Sequence, residues 1–263
     1  GPTASGKSEI AIKLAQRLNG EIINADSMQI YKEISILTSK PNTKQKNLIK
    51  HHLYGFNSVK NFFSTGLWLE AVKKIIEDLS IKRKTPIIVG GTGLYFKALT
   101  DGLVKIPDIP KKERIEIRKL HNSIGQKKFF EKLIKIDPLA EKFILPTDGQ
   151  RSMRAYEVKK FTNKSLFDLI KETRSNYKNK IFKKIFINTP KDLLHKNIEK
   201  RVEKMFKNGA VEEVKKFLKM KIYHELSPNK IIGIKEIKDY LGEKSTLAAT
   251  KQLIIQKTRQ YAK

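Results

Sequence analysis

The chain has 263 residues, 39% of them hydrophobic, with no cysteine and a formal net charge of +28. That length can bury the core of one large domain or of a domain with an insertion, and the composition excludes a disulfide framework. No stretch approaches the roughly 18 apolar residues of a membrane helix and no signal peptide is visible, so a soluble cytoplasmic protein without membrane association is expected; the chain is also expected to be a monomer. Residues 1–150 carry 26 basic and 15 acidic residues and residues 151–263 carry 29 and 12, a net +11 and +17. A polyanionic partner, most simply nucleic acid, accounts for such an excess, although a chain this rich in Lys, Ile and Asn also gains lysines on solvated faces without any ligand.

Gly1-Pro2-Thr3-Ala4-Ser5-Gly6-Lys7-Ser8 matches G-x-x-x-x-G-K-[ST]. Glycines let successive N–H groups turn onto phosphate oxygens, Lys7 reaches the terminal phosphates, and Ser8 can hold Mg²⁺. The alternative is a glycine-rich turn that only caps a helix. Apolar residues at 10, 11, 14, 15 and 18 predict a helix directly after the loop, ending at Asn19-Gly20. Such a loop is normally fed by a buried strand that the chain does not supply before Gly1, so the sequence is expected to be cut at its N-terminus.

Glu21 to Ala25 reads as a buried parallel strand that delivers Asp26-Ser27-Met28-Gln29 to its C-terminal edge, where ligands of open α/β sheets sit. A carboxylate there could hold Mg²⁺ or take a proton from a substrate; it could equally cap a helix or close an Asx turn. His51-His52 invites a metal reading, but neighbouring residues of a strand point to opposite sides and no Cys or Glu stands at ligand spacing. Residues 66–79 have helical periodicity, with Trp68 on the core side. Ile87-Ile88-Val89 is a second buried strand, and it ends in Gly90-Gly91-Thr92-Gly93 rather than in the acid an NTPase would more often place there. From about 107 to 180 charged helical patterns dominate (114–120, 126–136, 140–144, 152–161). A third strand is predicted over 183–188, then helices over 193–205, 210–220, 230–241 and from 245 to the end, where the last pattern is interrupted at Lys263. The pattern predicts an α/β fold: a P-loop NTPase-like parallel-sheet core in two parts, 1–108 and 181–263, around an all-helical insertion, 109–180.

Six segments, in order along the chain, closely resemble the tRNA dimethylallyltransferase (tRNA isopentenyltransferase) family. They are Gly1 to Ser8; Asp26-Ser27-Met28-Gln29-Ile30-Tyr31 with Lys40-Pro41; His51-His52-Leu53; Gly90 to Tyr95; Gln150-Arg151 with Arg154 to Val158; and Thr258-Arg259-Gln260-Tyr261-Ala262-Lys263. The resemblance implies transfer of a dimethylallyl group from dimethylallyl diphosphate to the exocyclic amine of the adenosine 3′ of the anticodon. It implies that Gly1, Pro2, Thr3, Ala4, Ser5, Gly6, Lys7 and Ser8 bind diphosphate, with Ser8 near Mg²⁺ and Arg201 helping. It makes Asp26 the general base and Thr92 the hydrogen-bond partner of the leaving oxygen. Asp26, Ser27, Met28, Gln29, Thr92, Arg114, Gln150, Arg151, Ser152, Met153 and Arg154 would contact the tRNA anticodon stem-loop. The departures are Ser35-Ile36-Leu37-Thr38-Ser39-Lys40-Pro41 where the family usually has D-I-G-T-A-K-P, Thr147-Asp148 where it has Asn-Asp, and Phe63, which lacks a hydroxyl. An RNA-binding P-loop ATPase or kinase is the competing reading; it would need a strand-terminal acid, and Asp26 is the sole candidate.

Overall fold

The computed structural model describes residues 1–173, 175, 177, 182–223 and 226–263. The chain divides into two compact units, Gly1–Phe96 with Lys183–Lys263, and Lys97–Phe182. The expected end of the insertion at residue 180 lies outside the described residues. No helix among them is long and apolar enough to cross a membrane.

The first unit begins with the loop and α1 (Lys7–Arg17), followed by β1 (Gly20–Asn24), α2 (Thr43–Leu48), β2 (His51–His52), α3 (Thr65–Ile81) and β3 (Thr85–Val89). β1 is the middle strand of a parallel sheet ordered β2-β1-β3, with Ile22 opposite both His51 and Ile87. All five β1 residues are buried, as expected of a strand flanked on both edges and covered on its faces. α1 lays its small residues Ala11 and Ala15, with Ile12, against Ile22. Ile10 and Leu18, counted into the helical stripe by periodicity, stay exposed because that close approach rotates the buried face past them. α2, with an Asn42–Gln45 capping box, and the two-residue β2 are too short for periodicity to reveal.

Glu21 is 4% exposed within β1, and a buried carboxylate needs partners. His52 Nε2 lies 2.6 Å from it, Lys84 donates to its other oxygen, and Lys50 stands at 4.0 Å. This cluster straps all three strands together. The adjacent histidines are therefore structural: His51 Nδ1 lies 2.7 Å from the Ile49 carbonyl.

The strand ends meet closely. Ala25 N–H donates to the Val89 carbonyl at 2.8 Å, and Thr92 N–H donates to the Ala25 carbonyl at 3.1 Å. A Cβ on Gly90 would fall 2.0 Å from the Ala25 oxygen, so no other residue fits there.

After the second unit the chain returns with residues 183–190, which carry no regular structure. The strand expected over 183–188 is not formed: no described strand pairs with it to satisfy its backbone groups. Ile185 and Phe186 are 64% and 74% exposed. α8 (Lys191–Lys207), α9 (Ala210–Lys219), α10 (Ile234–Leu241) and α11 (Leu247–Tyr261) complete the unit. A 3₁₀ turn at Ser227–Lys230 and a left-handed Gly233 (φ 108°) divide what was expected as one helix over 230–241. These helices enclose a core with Ile30, Tyr31, Ile34, Val59, Ile198, Phe217 and Ile237.

The departure loop is held by the buried Glu213 of α9. Its carboxylate accepts from the N–H groups of Ser35 (2.6 Å), Ile36 (2.8 Å) and Leu37 (3.0 Å) and from Ser35 Oγ (3.1 Å). Three converging amides suit an anion. The altered family sequence is accommodated in an anchored turn.

In the second unit α5 (Lys111–Ile136) spans both helices predicted for its length, with a break at Gly125 (φ 76°, ψ 164°). The helix expected at 140–144 is a 3₁₀ turn, Pro138–Lys142. α6 (Gly149–Thr162) is capped by Asp148, which accepts from Arg151 N–H, and α7 (Leu166–Glu172) by Ser165. Phe129, Leu133, Ala140, Ala155 and Tyr156 form this unit's own core. α4 (Gly93–Thr100) links β3 to it along the chain.

Two outcomes test this architecture. Burial raises the Glu21 carboxyl, but the hydrogen bonds and charges of Lys84 and His52 outweigh it, and the group ends below its ordinary 4.5. A depressed carboxyl stabilises the fold above that value and loses its contribution as pH falls through the folded-state pKa. Glu21→Gln lowers the urea midpoint at pH 7, and the gap from the parent closes as pH drops below 4.5; a pH-independent gap would contradict the charged strap. Gly90→Ala forces the strand ends apart and destabilises by roughly 1–3 kcal/mol or more, read from the same midpoints; an unchanged midpoint would refute the close approach.

Candidate functional site

The loop before α1 owes its shape to two left-handed residues, Ala4 (φ 60°) and Gly6 (φ 80°). Gly6 occupies the N-cap position of α1 and makes no side-chain cap, so the first-turn N–H groups have no side chain closing them and remain available to an anion. Ser5 Oγ donates to the Pro2 carbonyl at 2.8 Å, and Lys7 Nζ folds back on that same carbonyl. From α8, Arg201 donates to Thr3 Oγ1 at 2.6 Å and Asn197 to the Ala4 carbonyl at 3.2 Å. Arg201 Nε is buried without a partner, a donor left over for a ligand.

Asp26 stands at the end of β1 and is positioned by Asn24. That side chain is fully buried; it accepts from Asp26 N–H (2.9 Å) and donates to the carbonyls of Asp26 and Leu53 (2.9 Å each). Trp68 Nε1 donates to the Asn24 carbonyl at 2.8 Å, and the indole stacks on Tyr95 at 4.2 Å. Asp26 Oδ1 accepts from Met28 N–H at 2.9 Å. The Asx turn and the site are thus one arrangement, because a carboxylate that closes the turn with one oxygen can present the other.

One cleft of about 200 Å³ is lined by Thr3 to Glu9, Asp26, Gln29, Tyr54, Gly90, Gly91 and Arg201, among others. Lys7, Ser8, Asp26 and Arg201 therefore share a hollow. Burial draws the Lys7 ammonium below its ordinary value, Asp26 opposes this, and Arg201 adds to it. Burial also lowers the Arg201 guanidinium, again against Asp26. The cleft lining carries two cations, Lys7 and Arg201, and two carboxylates, Asp26 and Glu9, so its suitability for an anion rests on where the cations and the loop N–H groups stand rather than on an excess of charge.

Thr92 lies beside this lining rather than in it. Its hydroxyl accepts from Ser27 N–H at 3.0 Å and lies 3.3 Å from Ser27 Oγ. Gln29 Nε2 is bound to the Thr38 carbonyl at 2.8 Å, and Met28 packs against the core. Arg114 and residues 150–154 belong to the second unit. There the side chains of Arg151 and Arg154 are 73% and 39% exposed. Ser152 is fully buried with its hydroxyl on the Asp148 carbonyl at 2.7 Å, and Met153 packs on the core. Ser152 supports α6 from inside and offers no side chain to a partner, whereas Met153 is only partly buried.

Sequence reasoning passed over Asn24 and Tyr54. An amide at the end of an otherwise apolar strand was the available signal for Asn24, since a buried polar side chain must be bonded.

Among the described residues no cluster of His, Cys, Asp or Glu could by itself hold a metal ion. Ser8 and Asp26 supply hard oxygen donors in the cleft, a set that suits Mg²⁺ if phosphate and water provide the remaining ligands.

The IPP transferase family pattern matches residues 29–263, and the isopentenyl transferase pattern matches residues 1–54. The tRNA dimethylallyltransferase of Pelagibacter ubique is 52% identical over all of this chain and 84% of its own length, and that of Rickettsia bellii is 42% identical with the same coverage. The solved tRNA isopentenylpyrophosphate transferase of Bacillus halodurans superposes with a TM-score of 0.67 at 31% identity, over all of this chain and 82% of that one. A eukaryotic dimethylallyltransferase acting on tRNA gives 0.83 at 28% identity, over all of this chain and 66% of that one. With the phosphate loop, the strand-end carboxylate and these matches in one register, the chain belongs to the tRNA dimethylallyltransferase family, with its P-loop NTPase-like fold.

Proposed function

We infer that this chain transfers a dimethylallyl group from dimethylallyl diphosphate to the exocyclic amine of the adenosine 3′ of the anticodon in tRNA. The observation that carries this reading is the single cleft in which a phosphate loop, Lys7 and Arg201 face the Asp26 carboxylate. β3 runs into Gly90-Gly91 without an acid, so a γ-phosphate-transferring reading would have to draw its metal-binding carboxylate from Asp26 at the end of β1.

The diphosphate sits on the loop N–H groups of residues 1–8, and Lys7 exchanges the Pro2 carbonyl for a phosphate oxygen. Arg201 brings its free Nε to the same anion. Mg²⁺, held by Ser8 and diphosphate oxygens, would add positive charge to the leaving group. The adenine amine is a poor nucleophile, so its proton passes to Asp26 as nitrogen bonds to the allylic carbon and the carbon–oxygen bond breaks. Donors fixed before the reaction stabilise the departing diphosphate without reorganisation. Thr92 contributes its hydroxyl proton, which rests on a long contact to Ser27 Oγ and can turn to the leaving oxygen while still accepting from Ser27 N–H. The second unit acts as the RNA-binding insertion, with Arg114, Gln150, Arg151 and Arg154 on the anticodon stem-loop. Their contacts offset the few kcal/mol needed to unstack the target base.

Mass spectrometry of tRNA nucleosides after incubation with dimethylallyl diphosphate and Mg²⁺ tests the reading: one dimethylallyl group on adenosine is expected, and unmodified adenosine would refute it. In the same assay Asp26→Asn, which keeps the oxygen that accepts from Met28, cuts turnover by roughly 10² to 10⁴ with tRNA affinity intact; wild-type turnover would remove the base. Replacing Arg151 and Arg154 with Ala weakens tRNA binding and lowers the slope of log affinity against log salt by roughly 0.7–0.9 per lost phosphate contact. An identical slope in filter binding would remove them from the RNA.

A further inference from the structure

Tyr54 was not singled out by any motif, yet its side chain takes part in two environments. The ring packs on the α1 and β1 cluster of Ala11, Ile12, Ala15 and Ile22 together with Val89, and its edge meets His51 at 5.5 Å and 71°. The same residue lines the cleft with Lys7, Ser8 and Asp26. The ring is thus fixed against the very helix whose N-terminus carries the phosphate loop. Among the described residues none accepts a hydrogen bond from its hydroxyl.

A phenol positioned this firmly, with a donor that its own protein leaves unused, is poised for a ligand acceptor. Two acceptors come into question. Asp26 is close enough for its charge to act on the phenol, which burial and that charge push well above the ordinary 10.0, but the two are not hydrogen-bonded in the structure. A phenol that stays protonated is a neutral donor, able to approach an anion without adding charge beside Lys7 and Arg201. Diphosphate is the group in this cleft with more acceptor oxygens than the two side-chain cations can satisfy.

We propose that Tyr54 is a further diphosphate-binding residue, donating its hydroxyl hydrogen to a phosphate oxygen from the wall of the cleft formed by the loop after β2. This rests on the reading of the cleft as a diphosphate seat. It adds a wall that the phosphate loop alone does not provide, and it predicts selection for diphosphate over single phosphates.

The test is calorimetric titration of Mg²⁺-pyrophosphate and inorganic phosphate into the parent and into Tyr54→Phe, which keeps the ring packing. Loss of a hydrogen bond to a charged group corresponds to roughly tenfold or more in affinity. Pyrophosphate binding is expected to weaken by that factor, inorganic phosphate by less than twofold, with the melting temperature and tRNA affinity unchanged. In steady state the KM for dimethylallyl diphosphate rises while kcat stays within about threefold. Equal pyrophosphate affinities in parent and variant would overturn the role of Tyr54 and leave the diphosphate seat standing. A parent that does not bind pyrophosphate at all would overturn both. A fall in melting temperature and tRNA affinity alongside pyrophosphate affinity would make Tyr54 structural and overturn the proposal as well.

Discussion

The site depends on how closely two strand ends approach. Gly90 leaves the backbone of β3 close enough to Ala25 that a single Cβ would collide with the carbonyl, and across that contact Thr92 N–H holds Ala25. The next residue is Asp26. Its carboxylate therefore faces the phosphate loop because two pieces of main chain are locked together, not because a flexible side chain happens to reach. Parallel sheets place such ends at one edge; the glycine turns a general tendency into a fixed position.

Around that lock, buried polar side chains do the fine placement. Asn24 exchanges hydrogen bonds with both sides of Asp26 and reaches Leu53, so the loops after β1 and β2 move together. Glu213 gathers three amides of the 35–37 turn, and Gln29 binds the far end of that turn. Each such group would be costly if left unpaired, and pairing makes each loop conformation specific. The result suits a reaction in which proton acceptor and leaving-group donors must be set before the substrate arrives.

Much of this was legible from the chain itself. The loop, the helix after it, the two strands 21–25 and 87–89 and the family segments all come from local patterns. What was illegible was non-local. Asp26 was left open between turn and site because spacing cannot show that one oxygen closes the turn while the other faces a cleft. The 183–188 segment has strand composition, but a strand needs a neighbour, and composition does not supply one. Ser152 fell inside a family segment whose helical phase turns it inward. Tyr54 sat beside a histidine pair that drew attention to metals, whereas its ring packs on α1 and lines the cleft.

The only tryptophan of the chain is bonded through its indole nitrogen to the strand carbonyl two residues before Asp26, and it lies flat on Tyr95. Any shift of the β1 terminus as a substrate enters changes the polarity and stacking around that indole, so the emission of the native protein, without label or mutation, reports on the seat of the chemistry.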